Sequence, residues 1–71
     1  MTNINKLIEE ILDKLYSRQI NINNGLTILS EQIIDESSKT KMKKVFLDEL
    51  EKIENSLNIF LKLKTQFKDY E

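Results

Sequence analysis

The sequence predicts an all-α fold: a small antiparallel three-helix bundle, made of a helical hairpin plus a long C-terminal helix. Apolar residues recur at i, i+3, i+4 and i+7, the period of an amphipathic helix, and nowhere alternate like a strand. Proline is absent and Gly25 is the only glycine, so residues that interrupt helices are nearly missing. The chain of 71 residues is predicted to form a single helical domain, 1–71.

The first helix is predicted over about residues 3–17. Either Thr2 or Asn3 can supply the N-cap oxygen that accepts a hydrogen bond from a free backbone amide. A short turn is expected at residues 18–20, and Asn21 is the predicted N-cap of the next helix. The apolar stripe of the first helix consists of Ile4, Leu7, Ile8, Ile11, Leu12 and Leu15.

The second helix is predicted over about residues 22–36. Gly25 lies beside its apolar stripe and has two interpretations. It either lets the backbone of the first helix approach closely or forms a turn with Asn24, so that the helix begins later. The stripe consists of Ile22, Leu26, Leu29 and Ile33.

The third helix is predicted over about residues 39–69, after a break at Ser37 with Ser38 as the N-cap. Acids that end one helix and lysines that begin the next both oppose the helix dipole. One continuous helix over about residues 21–70, in which Asp35 pairs with a lysine, is therefore the alternative. The heptad-like seam of the third helix consists of Phe46, Leu50, Ile53, Leu57, Phe60 and Phe67.

The C-terminal half of the long helix is predicted to bind a protein partner. At about 45 Å for 30 residues it is roughly twice as long as the first helix, so the two shorter helices cannot cover it. It also has apolar residues on a second side, which indicates a second neighbour, and Ile34 is expected to extend this surface. The predicted partner interface consists of Leu57, Ile59, Phe60, Leu63, Phe67 and Tyr70.

A lysine cluster offers the alternative function of a dimeric nucleic-acid-binding regulator. Lysine side chains can neutralise phosphates, and such binding weakens steeply with salt. The net charge of −1 and the acidic residues that flank the cluster argue against a polyanion binder. The residues in question are Lys39, Lys41, Lys43 and Lys44.

The composition argues against catalysis. The chain contains no histidine and no cysteine, so the commonest general base and the strongest nucleophile are both missing. No spacing of metal ligands and no glycine-rich phosphate loop is present. We therefore predict no catalytic residue, no cofactor, no metal and no small-molecule ligand.

The predicted setting is the cytoplasm, because the sequence shows neither a signal peptide nor an apolar run long enough to span a membrane. Isoleucine, lysine and asparagine are frequent, which is typical of AT-rich genomes and favours a bacterial or phage origin.

We expect a small regulatory or accessory protein of the inhibitor, immunity, antitoxin or adaptor type. It would act by stoichiometric protein binding and by self-association, as a dimer, through its long helix.

Overall fold

In a computed structural model, the chain forms two long antiparallel α-helices joined by a short loop, and the structure describes residues 3–68. Helix α1 spans Ile4–Glu31 and helix α2 spans Glu36–Gln66. The hairpin measures 53 × 15 × 14 Å. The predicted three-helix bundle is therefore wrong, because the segments predicted as the first two helices form one helix.

Helix α1 is continuous because its buried seam does not stop where the turn was predicted. Gln19 occupies a half-buried seam position between Leu15 and Ile22, so the heptad spacing runs through it. The turn at residues 18–20 and the N-cap at Asn21 are both wrong. A break there would free backbone groups that the helix pairs internally. The seam residues follow alternating steps of three and four: Asn5, Ile8, Leu12, Leu15, Gln19, Ile22, Leu26 and Leu29.

The N-terminal end of α1 is capped as the sequence predicts. The Asn3 side-chain oxygen Oδ1 accepts a hydrogen bond from the Lys6 backbone N–H at 3.1 Å. This bond satisfies one of the amides that a helix start leaves unpaired. The other predicted cap, Thr2, lies outside the described residues.

The loop between the helices covers residues 32–35, earlier than the predicted break at Ser37. Asp35 caps α2, since its Oδ2 accepts a hydrogen bond from the Ser38 backbone N–H at 2.8 Å. Ser38 is therefore not the cap, and the continuous helix over residues 21–70 is also wrong. With this boundary Asp35 and Glu36 stand at the positive end of the α2 dipole, where carboxylates are favourable.

Gly25 lies inside α1 and has no positive φ, so the predicted turn with Asn24 is wrong. It faces the other helix of the hairpin: a Cβ atom built on Gly25 would lie 3.4 Å from Cε2 of Phe46. The predicted approach of the first-helix backbone is also wrong, because residues 4–17 belong to the same helix as Gly25, and the neighbour of Gly25 is the Phe46 ring of α2.

The core of the hairpin is narrow. Ile8, Leu12, Ile53 and Leu57 form one buried cluster, and Leu29 is buried nearer the loop. The other predicted core positions are less protected: Leu15, Ile22, Leu26 and Leu50 are half-buried, as are Ile11 and Phe46.

Three residues of the predicted core are exposed instead. Ile33 belongs to the loop and is fully exposed, at 103%. Ile4 and Leu7 retain 40% and 46% of their accessible surface, because only one neighbouring helix is available to cover them.

Helix α2 ends at Gln66, and the Phe67 backbone N–H donates to the Leu63 carbonyl oxygen at 2.9 Å. The predicted end at about residue 69 lies outside the described residues.

Candidate interaction surface

One flank of the helix–helix seam is marked by an ion pair between the Arg18 guanidinium and the Glu49 carboxylate. Side chains seven residues apart return to the same side of helices packed in this way. Gly25 and Met42, each seven residues from one member of the pair, therefore lie on this flank. The geometry agrees, since both residues line one open groove of about 240 Å³ near the loop.

Apolar side chains occupy the same flank on both sides of the ion pair. Steps of three, four or seven residues along a helix keep side chains on one face. Counted in such steps from Arg18 and Gly25 in α1, and from Met42 and Glu49 in α2, these apolar residues lie on the flank of the ion pair. We call this surface the apolar face. It consists of Ile4, Leu7, Ile11, Ile28, Met42, Val45, Ile59 and Leu63.

Much of the apolar face is open to solvent. Val45 is exposed at 63%, Ile59 at 58% and Ile28 at 57%, although each is a large aliphatic side chain. One patch lies at the loop end, around Ile28 and Val45. The other lies at the terminal end, around Leu7 and Ile59. Exposed apolar patches rimmed by polar residues mark interaction sites in soluble proteins.

Charged side chains occupy the middle of the apolar face. Arg18 and Glu49 lie near the midpoints of α1 and α2, and Lys14 and Lys52 fall on the same flank by their spacing. The Arg18 side chain is 61% exposed and the Glu49 side chain 31%. The pair is thus a surface ion pair and contributes little to the stability of the hairpin alone.

The opposite flank of the seam is more polar. Its exposed apolar residues are Tyr16, Ile20, Leu47 and Leu61. They alternate with charged and amide side chains at the corresponding heptad positions. The apolar excess of the molecule is therefore concentrated on the side that carries the Arg18–Glu49 pair.

The accessible surface of the whole chain is large for its mass. It amounts to 5783 Å² for 8.4 kDa. A compact monomer of that mass is expected to expose roughly 4,600 Å². The surplus arises because two helices cannot enclose a core, and it includes the side chains of the apolar face.

The structure places the predicted partner interface on two different surfaces. Leu57 is buried in the core with 6% of its surface exposed, and so is not available to a partner. Phe60, Leu63 and Phe67 are half-buried and pack against that core. Ile59 is exposed and belongs to the apolar face, as does the open part of Leu63.

Two further residues of that prediction lie elsewhere. Tyr70 lies outside the described residues. Ile34 is 39% exposed in the loop, where it adjoins the first turn of α2 rather than its C-terminal half.

Sequence reasoning missed the contribution of α1 to the apolar face. Once α1 is continuous, its length of 28 residues nearly matches the 31 residues of α2, so α2 has a partner along its length. Leu57 and Phe60 then pack in the seam between α1 and α2. The apolar residues left over in α1, such as Leu7 and Ile28, could have been found by extending the heptad pattern through Gln19.

The four lysines of the predicted nucleic-acid site do not form one basic face. The Lys39 ammonium donates a hydrogen bond to the Ser30 carbonyl oxygen at 3.3 Å and is half-buried against α1. Lys39 and Lys43 line a second groove, beside Ser30, together with the acidic Glu36. The other two, Lys41 and Lys44, are exposed and project from other sides of α2.

The N-terminal cap of α2 affects the titration of Asp35. Hydrogen bonds from the Ser38 backbone N–H and the Ser38 hydroxyl lower the pKa of Asp35 below its ordinary value. This effect belongs to the cap of α2.

Within residues 3–68, no group of three carboxylates converges in a way that could hold a metal ion. Neither described helix is long and apolar enough to cross a lipid bilayer.

Comparisons with known proteins found no match. The chain matches no protein-family model, no curated protein and no solved structure.

Proposed function

We propose that this protein is a non-enzymatic helical interaction module that acts by stoichiometric binding to protein, through the apolar face of its hairpin. The observation that supports the proposal is the exposure of Ile28, Val45 and Ile59 on one flank of the molecule. Burying an aliphatic side chain of this size contributes about 1.5–3 kcal/mol. A surface with several such side chains provides the energy for docking a helix, by the helix-in-groove mode of recognition.

A regulatory or accessory role fits this surface better than a catalytic one. The chain has no histidine and no cysteine. The grooves within its described part are open and shallow, which suits a partner side chain better than a substrate that must be shielded from water. The inhibitor, immunity, antitoxin and adaptor classes all use binding of this kind.

The proposal is tested by charging the apolar face of the full chain. The face variant carries Ile28→Lys and Ile59→Lys, and the matched control carries Ile20→Lys and Leu47→Lys on the opposite flank. Ile20 and Ile28 are a close match, because both are isoleucines of α1 exposed at 58% and 57%. Association is followed by light scattering, and open apolar surface by the fluorescence of anilinonaphthalene sulfonate.

We expect the wild-type chain either to associate or to bind the dye, and the face variant to lose that property. The control should retain it, and circular dichroism should show equal helicity in all three proteins. A face variant that associates and binds dye like the wild type would contradict the proposal. So would a wild-type monomer that binds no dye.

A further inference from the structure

We infer that the apolar face is covered by the apolar face of a second copy of this chain, giving a four-helix bundle with both loops at the same end. This inference rests on the proposed function and names its partner. It is carried by three observations: the dimensions of the hairpin, the position of the Arg18–Glu49 pair, and the distribution of the apolar residues around that pair.

The area suits a hairpin docked along its full length. The face extends over a molecule 53 Å long and 15 Å wide. Each partner in a standard protein interface buries about 800 Å². A footprint of 53 × 15 Å is of the same order. A second hairpin has the length needed to cover both apolar patches at once.

The Arg18–Glu49 pair at the midpoint favours one of two relations between the copies. In one two-fold arrangement the axis is parallel to the helices, and α1 of each copy faces α2 of the other. Arg18 of one copy then lies opposite Glu49 of the second copy, and the reverse contact forms with it. In the other arrangement the axis is perpendicular to the helices, so Arg18 faces Arg18 and Glu49 faces Glu49. Like charges across an interface disfavour that pairing.

The apolar patches match in the arrangement that the charges favour. The Arg18–Glu49 and Gly25–Phe46 contacts fix which parts of α1 and α2 lie at the same height. Ile28 of one copy therefore comes opposite the region of Met42 in the second copy, at the loop end. At the other end, Leu7 comes opposite the region of Ile59. Each patch thus meets an apolar patch and Arg18 meets Glu49 in the middle, while Lys14 comes opposite the region of Lys52 beside that pair.

The first test is the mass of the full chain in solution, measured by light scattering at several concentrations. We expect twice the monomer mass of 8.4 kDa. The Ile28→Lys, Ile59→Lys variant should raise the dimer dissociation constant at least about 100-fold, since four buried aliphatic side chains per dimer are replaced. The Ile20→Lys, Leu47→Lys control should remain dimeric. A wild-type monomer or a larger assembly overturns the inference.

The second test measures the orientation of the copies. The chain has no cysteine, and Ile33 in the loop is fully exposed, so Ile33→Cys provides a single site for a spin label. Loops at the same end place the two labels about two helix diameters apart, roughly 20 Å. Loops at opposite ends separate them by about the hairpin length of 53 Å. A dipolar distance near the longer value overturns the proposed arrangement.

A third test does not depend on whether the lysine variant folds. Arg18→Glu places two acids at the middle of the face, and Glu49→Arg places two bases there. Each variant alone should dimerise more weakly than the wild type, whereas an equimolar mixture should form a heterodimer. Failure of the mixture to recover the dimer mass would place these charges away from the interface.

Failure of this inference can be distinguished from failure of the proposed function. A monomer whose dye binding depends on Ile28 and Ile59 would rule out the second copy and leave an open face for a different protein. A face variant that dimerises and binds dye like the wild type would contradict both.

Discussion

The carboxylate of Asp35 begins α2, and its effect on stability should depend on pH. Hydrogen bonds from Ser38 lower its pKa in the folded chain, so folding favours the charged form. The contribution is therefore fully present above the unfolded-state pKa of about 3.9 and is lost as the pH falls through the lower, folded-state value. We expect Asp35→Asn, which keeps an acceptor oxygen and removes the charge, to lower the unfolding temperature near neutral pH.

The difference between wild type and Asp35→Asn should shrink as the pH is lowered below about 4 and Asp35 itself becomes protonated. Thermal unfolding followed by circular dichroism at several pH values measures it. A difference that stays constant over this range would show that the charge of Asp35 plays no part in the cap. Asp35→Ala, which also removes the acceptor, should be less stable than Asp35→Asn throughout.

Gly25 is a position at which the hairpin can be stabilised. Glycine inside a helix is less favourable than alanine by roughly 1 kcal/mol. The added methyl group would lie 3.4 Å from the Phe46 ring, which is an ordinary van der Waals distance. We expect Gly25→Ala to raise the free energy of unfolding by about 0.5–1 kcal/mol in urea titrations. A loss of stability would mean that the ring cannot accommodate even a methyl group.

At the scale of the helices, Asn21 distinguishes one continuous α1 from two shorter helices. An N-cap asparagine loses about 1 kcal/mol when it is replaced by alanine. An exposed asparagine inside a helix gains up to roughly 0.7 kcal/mol from the same change, because alanine has the higher helix propensity. The structure places Asn21 in the interior of α1, so Asn21→Ala should raise the free energy of unfolding. Asn3→Ala, at the true cap, should lower it and serves as the comparison.

The helical nature of the chain and much of the seam could be predicted from the sequence, because both depend on local spacing. Asn3 was recognisable as a cap for the same reason. The boundaries around Gln19 and Asp35 were not recognisable locally. Gln19 looks like a turn residue until the seam is followed through it. Asp35 was read as the end of a helix, although its acidic neighbour Glu36 favours the start of one.

The candidate surface could be predicted only in part, because it depends on how the helices pair. Ile59 and Leu63 were identified from α2 alone, since they lie on its second apolar side. Leu57 was assigned to the same surface because α1 was expected to be too short to cover it. Ile28 falls on the surface only when the heptad pattern of α1 is followed through Gln19.

At the scale of the whole molecule, the stability of the fold should depend on the association of two copies. Two helices bury few side chains: none of the large ones in the described part is less than 2% exposed. Domains of this size commonly need oligomerisation to be stable. If two copies bury the apolar face against each other, mass action stabilises the folded chain as its concentration rises. We therefore expect the unfolding temperature of the wild type to increase with protein concentration.

The Ile28→Lys, Ile59→Lys variant should unfold at a lower temperature that does not depend on concentration, since each chain then unfolds alone. The Ile20→Lys, Leu47→Lys control should keep the concentration dependence, because its charges lie on the opposite flank. Calorimetry over a 100-fold range of concentration measures all three. A wild-type unfolding temperature independent of concentration would mean that the two helices are stable as a monomer. The narrow cluster of Ile8, Leu12, Ile53 and Leu57 would then suffice to hold the hairpin together.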